Sequence, residues 1–315
     1  MRLSLGVRMI RGEKILITGV TGMAPLPIAE FLAKENDVWG VARFSDPAKR
    51  ERVQAAGLTT RAIDFMEPDL SELPDDFTYV MHWAYTRLPS GQFMPAIQVN
   101  AVAAGLILQH CHTAKAALVI SAGTIYSPRN DDYYHPFHEE DDIGASYAPW
   151  GPTSPVSKVS LEAVCRFSAQ AFSLPTTITR LNVVYGAEGG MPVDDMDAIV
   201  AGRPVHTFAD PYPASPIHAD DMCEQLEALY DAASVPATLV NWCGDEVVTQ
   251  REWIAQAEAL SGKRAEIVHN EVPTAAGGSV GDTARRMSIT GRCRRTFREE
   301  LAKLFAERHG ASPGS

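Results

Sequence analysis

Apolar residues recur along the chain in short β-rich runs, separated by stretches with helical spacing. The first run, KILIT at 14–18, leads into Gly19-Val20-Thr21-Gly22. It is followed by IAEFLAKE, where Ile28, Phe31 and Leu32 share one helical face. The next run, VWGVAR, ends at Arg43. Further strand-like runs are TTRAIDF, TYVMHWAY, ALVISAG, TTITRLNVVY and ATLVNWCG, and the longest helical stretches are 96–114 and 155–172. Strands alternating with helices predict an α/β fold: a doubly wound parallel sheet with helices on both faces.

From about residue 186 the rhythm changes, and Gly, Pro and Asp become frequent (GAEGGMPVDD, ADPYPASP). A helix near Asp220–Ala232 and a strand near 238–242 return to the βα rhythm. The end is mostly helical, at 250–261 and 295–308. The pattern predicts a nucleotide-type domain over 12–182, with 216–245 returning to it. A smaller, mainly helical lobe is expected from 183–215 and 246–310, with the ligand in the cleft between them.

Hydrophobic residues make up 45% of the 315-residue chain and charged residues 21%, which predicts a packed core rather than disorder. The formal charge of −11 repels phosphate backbones, so neither nucleic acid nor an anionic membrane is an expected partner. The dense basic clusters, Arg285–Arg286 and Arg292 to Arg298, read as a solvated helix face. Five widely spaced cysteines without a CxxC pair fit a reducing cytoplasm and give no metal framework. No run approaches the roughly 18 apolar residues that span a bilayer. MRLSLGVRMIRG, with Arg8 and Arg11 breaking its apolar run, reads as a ragged leader and GASPGS as a flexible end.

Thr18 to Pro25 lies at a strand-to-helix junction. Glycines at 19 and 22 permit a tight turn and a close approach of pyrophosphate to the backbone, and the helix N-terminus offers free N–H groups to the anion. The pattern reads as the glycine turn of a Rossmann-type dinucleotide site, except that Pro25 stands where a third glycine is usual; the alternative is a purely structural turn. Proline is tolerated there because the first turn of a helix does not use its N–H. Arg43, 24 residues after Gly19, stands where an acidic residue would accept from a ribose 2′-OH. A guanidinium favours a 2′-phosphate, so NADP is expected over NAD; the alternative is a solvated strand end. Asp64 either accepts from an adenine amino group or caps a loop.

These pieces line up with TGVTG (18–22), His82-Trp83-Ala84-Tyr85, Asn100, SAGTIY (121–126), Ser157-Lys158, Arg180 to Gly186, Ile217 to Asp221 and Asn241 to Gly244. In their order and spacing the chain resembles the extended short-chain dehydrogenase/reductase family, the epimerase/dehydratase-like group, over roughly 14–300. GVTG and GVAR in the N-terminal half also look like the plant progesterone 5β-reductase and iridoid synthase group. The resemblance implies a nicotinamide cofactor along Gly19, Thr21, Gly22, Met23, Arg43, Asp64, Phe65, Ala84, Tyr85, Asn100, Lys158, Leu181, Asn182 and Val183. It also implies a small-molecule substrate and a homodimer packed through 96–114 and 155–172. The apolar residues there, such as Leu106, Ile107, Leu161 and Phe167, equally suit a core.

The family's catalytic centre pairs a Ser or Thr with a Tyr four residues before a Lys, so that ammonium and phenol exchange a proton with a substrate oxygen. Lys158 is in place, but Ser154 stands where the Tyr belongs, and none of the nine tyrosines has a lysine four residues later. The Ser/Thr position falls on Ala122, flanked by Ser121 and Thr124. Three explanations remain open: a displaced acid such as Tyr126 or Tyr147, a water held by Ser154 and Lys158, or no hydride chemistry at all. Tyr126 reads more readily as a packed aromatic at a strand end, and Lys158 has a solvated helix start as its alternative.

The loop with His135, His138, Glu139, Glu140, Asp141 and Asp142 reads as solvated rather than metal-binding, and Cys111 and Cys165 as inert core. The resemblance implies a diphosphate-clamping Arg near 214; the position holds Ala214, with Arg203 or Arg285 as possible substitutes. Met191, Met196, Phe208, Tyr212 and Trp242 either line the pocket or form the lobe's core. The expected function is an NADP-dependent oxidoreductase acting on a small non-nucleotide carbonyl, alcohol or enone. The alternatives are a redox-neutral isomerase, epimerase or lyase on the same fold, and an inactive NADP-binding module.

Overall fold

The structure is a computed structural model and describes residues 9–270, 272 and 275–310. The expectations for residues 1–8 and 311–315 lie outside the described residues. Ile10, part of the expected leader, is buried in the core, and its carbonyl accepts from Asn36.

The elements follow in the order β1 (Lys14–Thr18), α1 (Pro25–Leu32), β2 (Asp37–Ala42), α2 (Pro47–Ala55), β3 (Thr59–Ala62), β4 (Tyr79–His82), and α3 (Phe93–Ile97). A π turn over Gln98–Val102 leads into α4 (Ala103–His110). Then come β5 (Ala116–Ala122), α5 (Ser154–Phe172), β6 (Thr176–Leu181), β7 (Val184–Tyr185), α6 (Met191–Val200), β8 (Val205–Thr207), β9 (Pro213–Ala214), and β10 (Ile217–His218). The chain closes with α7 (Ala219–Asp231), β11 (Thr238–Trp242), β12 (Val248–Thr249), α8 (Gln250–Ser261), β13 (Ile267–His269), α9 (Ala284–Thr290) and α10 (Phe297–His309).

Seven parallel strands form the sheet, in the order β3-β2-β1-β4-β5-β6-β11. The order reverses between β1 and β4, and a crevice opens beyond the carboxyl ends of such a pair. The central strands β1, β4 and β5 are buried on both faces because helices cover both sides, whereas the edge strand β3 is largely exposed. Ile15, Ile17, Ile28, Leu226 and Trp242 pack on the α1/α7 side, and Leu16, Val80, Ile107, Leu161 and Ile178 on the α4/α5 side. A third core joins α6, α8 and α10 through Met196, Ile199, Trp253, Phe297, Leu301 and Phe305.

Several expectations need correction. The helix expected over 96–114 is split by the π turn and ends at His110, whose ring bonds to the carbonyls of Leu73 and Pro74. Within the 246–310 segment, α9 packs on α7 and β11 rather than in the lobe's core. The basic clusters are not a simple solvated face. Arg286 is fully buried, bonded to Asp245 and the Gly291 carbonyl, and Arg295 pairs with Asp221 and Glu224. The acidic loop is anchored, not free. Buried Glu139 accepts from the Asn241 N–H, His135 bonds Asp141, and no group of three potential ligands able to hold a metal exists among the described residues. No helix among them is long and apolar enough to cross a membrane.

Candidate functional site

A cleft of about 900 Å³ opens where the strand order reverses. The end of β1 shapes its floor. Thr18 Oγ1 accepts from the Trp83 and Ala84 N–H groups at 3.2 and 3.1 Å and bonds His82 Nδ1 at 3.0 Å, tying β1 to β4. Gly19 then turns with φ +70°, and a Cβ built on it would lie 2.8 Å from Ala84 N. Only glycine allows two strand ends this close in this conformation. Gly22 N–H donates to Gly19 O, and α1 starts at Pro25, where no N–H is needed.

His82 is buried with Nε2 unpartnered, and its pKa is pushed down to about 3 by burial, with Lys158 adding to the shift. An unfolded histidine titrates near 6.5, so the unfolded chain binds more protons than the folded one between those values. Stability therefore falls as pH drops below about 6.5, by about 2 kcal/mol at pH 5 from this group. His218, also lowered by burial, acts in the same direction. Urea unfolding at pH 5 and 7.5 is expected to show the loss in the parent chain and a smaller one in His82→Asn.

The opposite wall comes from α5. Lys158, buried, donates from Nζ to the Ile120 carbonyl at 2.6 Å, and burial lowers its pKa to about 8. Its Nζ lies 4.7 Å from the centre of the Tyr85 ring. Tyr85 OH donates to Ser154 Oγ at 2.6 Å. The segment carrying Tyr85 is laced to the helix start. Asn100 accepts from Thr86 N–H and donates to Thr86 O and Ser157 Oγ, while Thr153 Oγ1 exchanges bonds with the Leu88 backbone. Ser121 Oγ and Thr124 Oγ1 are buried without a hydrogen-bond partner, and both residues line the cleft.

Of the residues singled out in the sequence, the cleft brings together Gly19, Thr21, Gly22, Met23, Arg43, Asp64, Phe65, Ala84, Tyr85, Ser121, Thr124, Ser154, Lys158, Leu181, Asn182 and Val183. Three lie elsewhere. Asn100 is buried in the π turn and braces the Thr86 backbone. Tyr126 is stacked on Phe137 with its hydroxyl on Asn241 Oδ1, and burial pushes its pKa up to about 12. Tyr147 borders a separate cavity of about 20 Å³. The tyrosine that meets Ser154 and Lys158 is Tyr85, which the four-residue spacing rule does not find.

At the far end the lobe contributes Met191, Asp194, Asp195, His206, Phe208 and Tyr212, with Trp150 against Phe208 at 5.9 Å between ring centres. Met196 and Trp242 are core instead; the Trp242 indole donates to Gln225. Asp195 accepts from Trp253 and Gln250, and burial raises its pKa. Ala214 is fully buried, and neither Arg203 nor Arg285 lines the cleft. Arg87 does, at the rim, with its guanidinium 5.8 Å from the Tyr85 ring centre.

Comparison with known proteins places the chain. Residues 15–209 match the model of the NAD dependent epimerase/dehydratase family. No curated protein matches the sequence. Among solved structures, a mutant of UDP-glucuronic acid 4-epimerase from Bacillus cereus, in complex with a fluorinated UDP-sugar and NAD, is similar at TM-score 0.80 and 21% identity, covering 93% of this chain and 98% of that one. UDP-glucose 4-epimerase from Thermotoga maritima, with UDP-glucose, gives 0.76 and 18%, covering 93% and 99%. dTDP-glucose 4,6-dehydratase from Bacillus anthracis, with NAD, gives 0.78 and 15%, covering 95% and 98%. The match spans more than half of the sequence, and the doubly wound sheet agrees with it: the chain belongs to the NAD dependent epimerase/dehydratase family, a family of enzymes.

Proposed function

We propose that the cleft binds a nicotinamide dinucleotide across the Gly19–Pro25 turn and acts as an oxidoreductase on a small non-nucleotide carbonyl, alcohol or enone. One observation carries this. The glycine turn, the buried Lys158 and the unpartnered hydroxyls of Ser121 and Thr124 converge on one cleft. These residues fit the cofactor: a backbone cradle without side chains for the pyrophosphate, an ammonium for the nicotinamide ribose, and free hydroxyls for a substrate oxygen. The dinucleotide supplies or takes a hydride, and the chain handles the proton. Lys158, titrating near 8, is suited to exchange one near neutral pH. Leu181, Asn182 and Val183, which line the same cleft as Lys158, are proposed as cofactor contacts, and the segments 183–215 and 246–310, apart from α9, as the substrate lobe.

The absence of a clamp arginine near Ala214 supports a substrate without a diphosphate. Met191, Phe208, Tyr212 and Trp150 supply apolar contact for its body. The solved relatives that act as epimerases support the redox-neutral alternative, in which hydride leaves and returns within one turnover. Incubation with reduced or oxidised dinucleotide and a panel of aldehydes, ketones, alcohols and UDP-sugars separates the two. Net change in nicotinamide absorbance supports the oxidoreductase, and product without net change supports the isomerase.

NAD is named in the solved relatives. Here Arg43 stands at the end of β2, exposed and without an ion pair among the described residues. Next to it Phe44 takes φ +49°, under the Arg50 guanidinium. This corner supports acceptance of NADP. Calorimetry is expected to give tighter binding of NADPH than NADH, with Arg43→Ala weakening NADPH by about tenfold and leaving NADH unchanged. Tighter NADH would remove the preference and leave the dinucleotide site standing.

A homodimer is supported by the outer faces of α3 to α5, where Met94, Val102, Leu106, Val156 and Phe167 are exposed, while Ile107 and Leu161 are core. Sedimentation is expected to give twice the chain mass, and Phe167→Glu to reduce it to one. The five free cysteines suit a reducing compartment such as the cytoplasm.

A further inference from the structure

We propose that Tyr85, arriving from the loop after β4, supplies the phenol that helix α5 lacks, and acts with Lys158 and Ser154 as the site's proton donor and acceptor. The proposal rests on the dinucleotide-dependent function given above. The residue four before Lys158 is a serine, and that leaves room at the helix start for a ring from outside the helix. Tyr85 occupies this room, with its hydroxyl 2.6 Å from Ser154 Oγ and its ring centre 4.7 Å from Lys158 Nζ. A tyrosine at 154 and Tyr85 in this position would compete for the same space. The two sites therefore read as one exchange: bulk lost from the helix and gained on the loop.

The loop is not free to carry the ring elsewhere. Asn100 holds both the N–H and the carbonyl of Thr86, and Thr153 holds Leu88. Tyr126 offers no comparable group, since Asn241 takes its hydroxyl and Phe137 covers its ring. Tyr85, Ser154 and Lys158 all line the cleft, beside the unpartnered Ser121 and Thr124 hydroxyls.

The proton accounting closes with these groups. When a carbonyl is reduced, its carbon would gain one hydride, a hydrogen with its electron pair, from the reduced nicotinamide dinucleotide, which is thereby oxidised by two electrons. The Tyr85 O–H bond breaks as an O–H bond forms on the substrate oxygen. The phenolate is met by the Lys158 ammonium and by a hydrogen bond from Ser154. Lys158 returns a proton to Tyr85, and water reprotonates Lys158. Alcohol oxidation runs the same transfers in reverse.

Two readouts test this on the full-length protein. In the first, tyrosine carries an NMR-visible carbon label at Cζ, and the Tyr85 resonance is assigned by its loss in Tyr85→Phe. Its shift is expected to inflect where Lys158 titrates, near pH 8, and to lose the inflection in Lys158→Met. A Tyr85 resonance that ignores Lys158 overturns the unit. In the second, NADPH and NADH are used with a panel of aliphatic and aromatic aldehydes and ketones. Tyr85→Phe is expected to keep the parent's dinucleotide affinity and to lose turnover by about 100-fold or more. Ser154→Tyr combined with Tyr85→Ala is expected to regain about tenfold over Tyr85→Ala alone, as a relocated phenol predicts. Parent-like turnover in Tyr85→Phe overturns the proposal and leaves the dinucleotide function standing. A parent chain that binds neither NADPH nor NADH overturns both.

Discussion

Replacing Arg180 by methionine is expected to destabilise the fold by about 3–5 kcal/mol, because it strands a buried carboxylate. Arg180 and Glu162 are both nearly inaccessible, 4% and 5% exposed. The guanidinium makes two parallel bonds to Glu162, Nε to Oε1 at 3.0 Å and Nη2 to Oε2 at 2.9 Å, and a third from Nη1 to the Glu139 carbonyl at 2.9 Å. Its face covers the Tyr126 ring at 4.7 Å. It thus binds α5 to β6 and pins the connection between β5 and α5, the segment that delivers Ser154 and Lys158. Removing one charge leaves the other desolvated and unpaired. Removing both is much cheaper, since an apolar pair of similar volume fills the space without a charge to solvate. The double variant Arg180→Met with Glu162→Leu is therefore expected to recover most of the loss. Denaturant midpoints of the parent, both single variants and the double variant check this. A cost under about 1 kcal/mol for Arg180→Met would mean that water or another cation reaches Glu162.

Gly19→Ala is expected to have the second large effect, on stability and on binding together. A left-handed conformation costs a residue with a Cβ about 1–2 kcal/mol. The added methyl would also sit 2.8 Å from both Trp83 C and Ala84 N, which are backbone atoms and cannot swing aside. Pushing the β4 end away adds about 1–3 kcal/mol of overpacking. The displaced backbone is also the one that carries Ala84 and Tyr85 into the cleft. Dinucleotide affinity is expected to fall by about 100-fold, about 2.7 kcal/mol, as the turn no longer lets the pyrophosphate approach its backbone. Thermal unfolding and calorimetric titration of the same preparation check the two effects. A variant as stable and as tight-binding as the parent would mean that the turn is not the dinucleotide cradle.

Local pattern carries most of the fold. The runs at 14–18 and 238–242 and the helix at 250–261 form where the pattern places them, whereas the run expected over 176–185 is broken after Leu181 into β6 and the short β7. The glycine turn and Lys158 are legible because each belongs to a motif contiguous in the chain. What escapes depends on partners far apart in sequence. The Tyr85–Ser154 bond joins residues 69 apart, and a rule that looks four residues back along a helix cannot see it. The π turn around Asn100 escapes because apolar spacing continues through it, while the Asn100 side chain within it pairs with the Thr86 backbone, a contact no local pattern reveals. Trp242 and Met196 suit lining and core equally in the sequence; burial on the α7 side and in the lobe decides for core. Arg286 reads as a surface charge because a sequence does not show that Asp245 and the Gly291 carbonyl enclose it.

The central claim is that this cleft is a dinucleotide site, and calorimetric titration of the purified chain with NADPH and then NADH tests it most directly. The account predicts saturable binding of one dinucleotide per chain, weakened about 100-fold in Gly19→Ala and retained in Tyr85→Phe. Binding of neither by protein free of carried-over cofactor, or parent-like binding in Gly19→Ala, would contradict it.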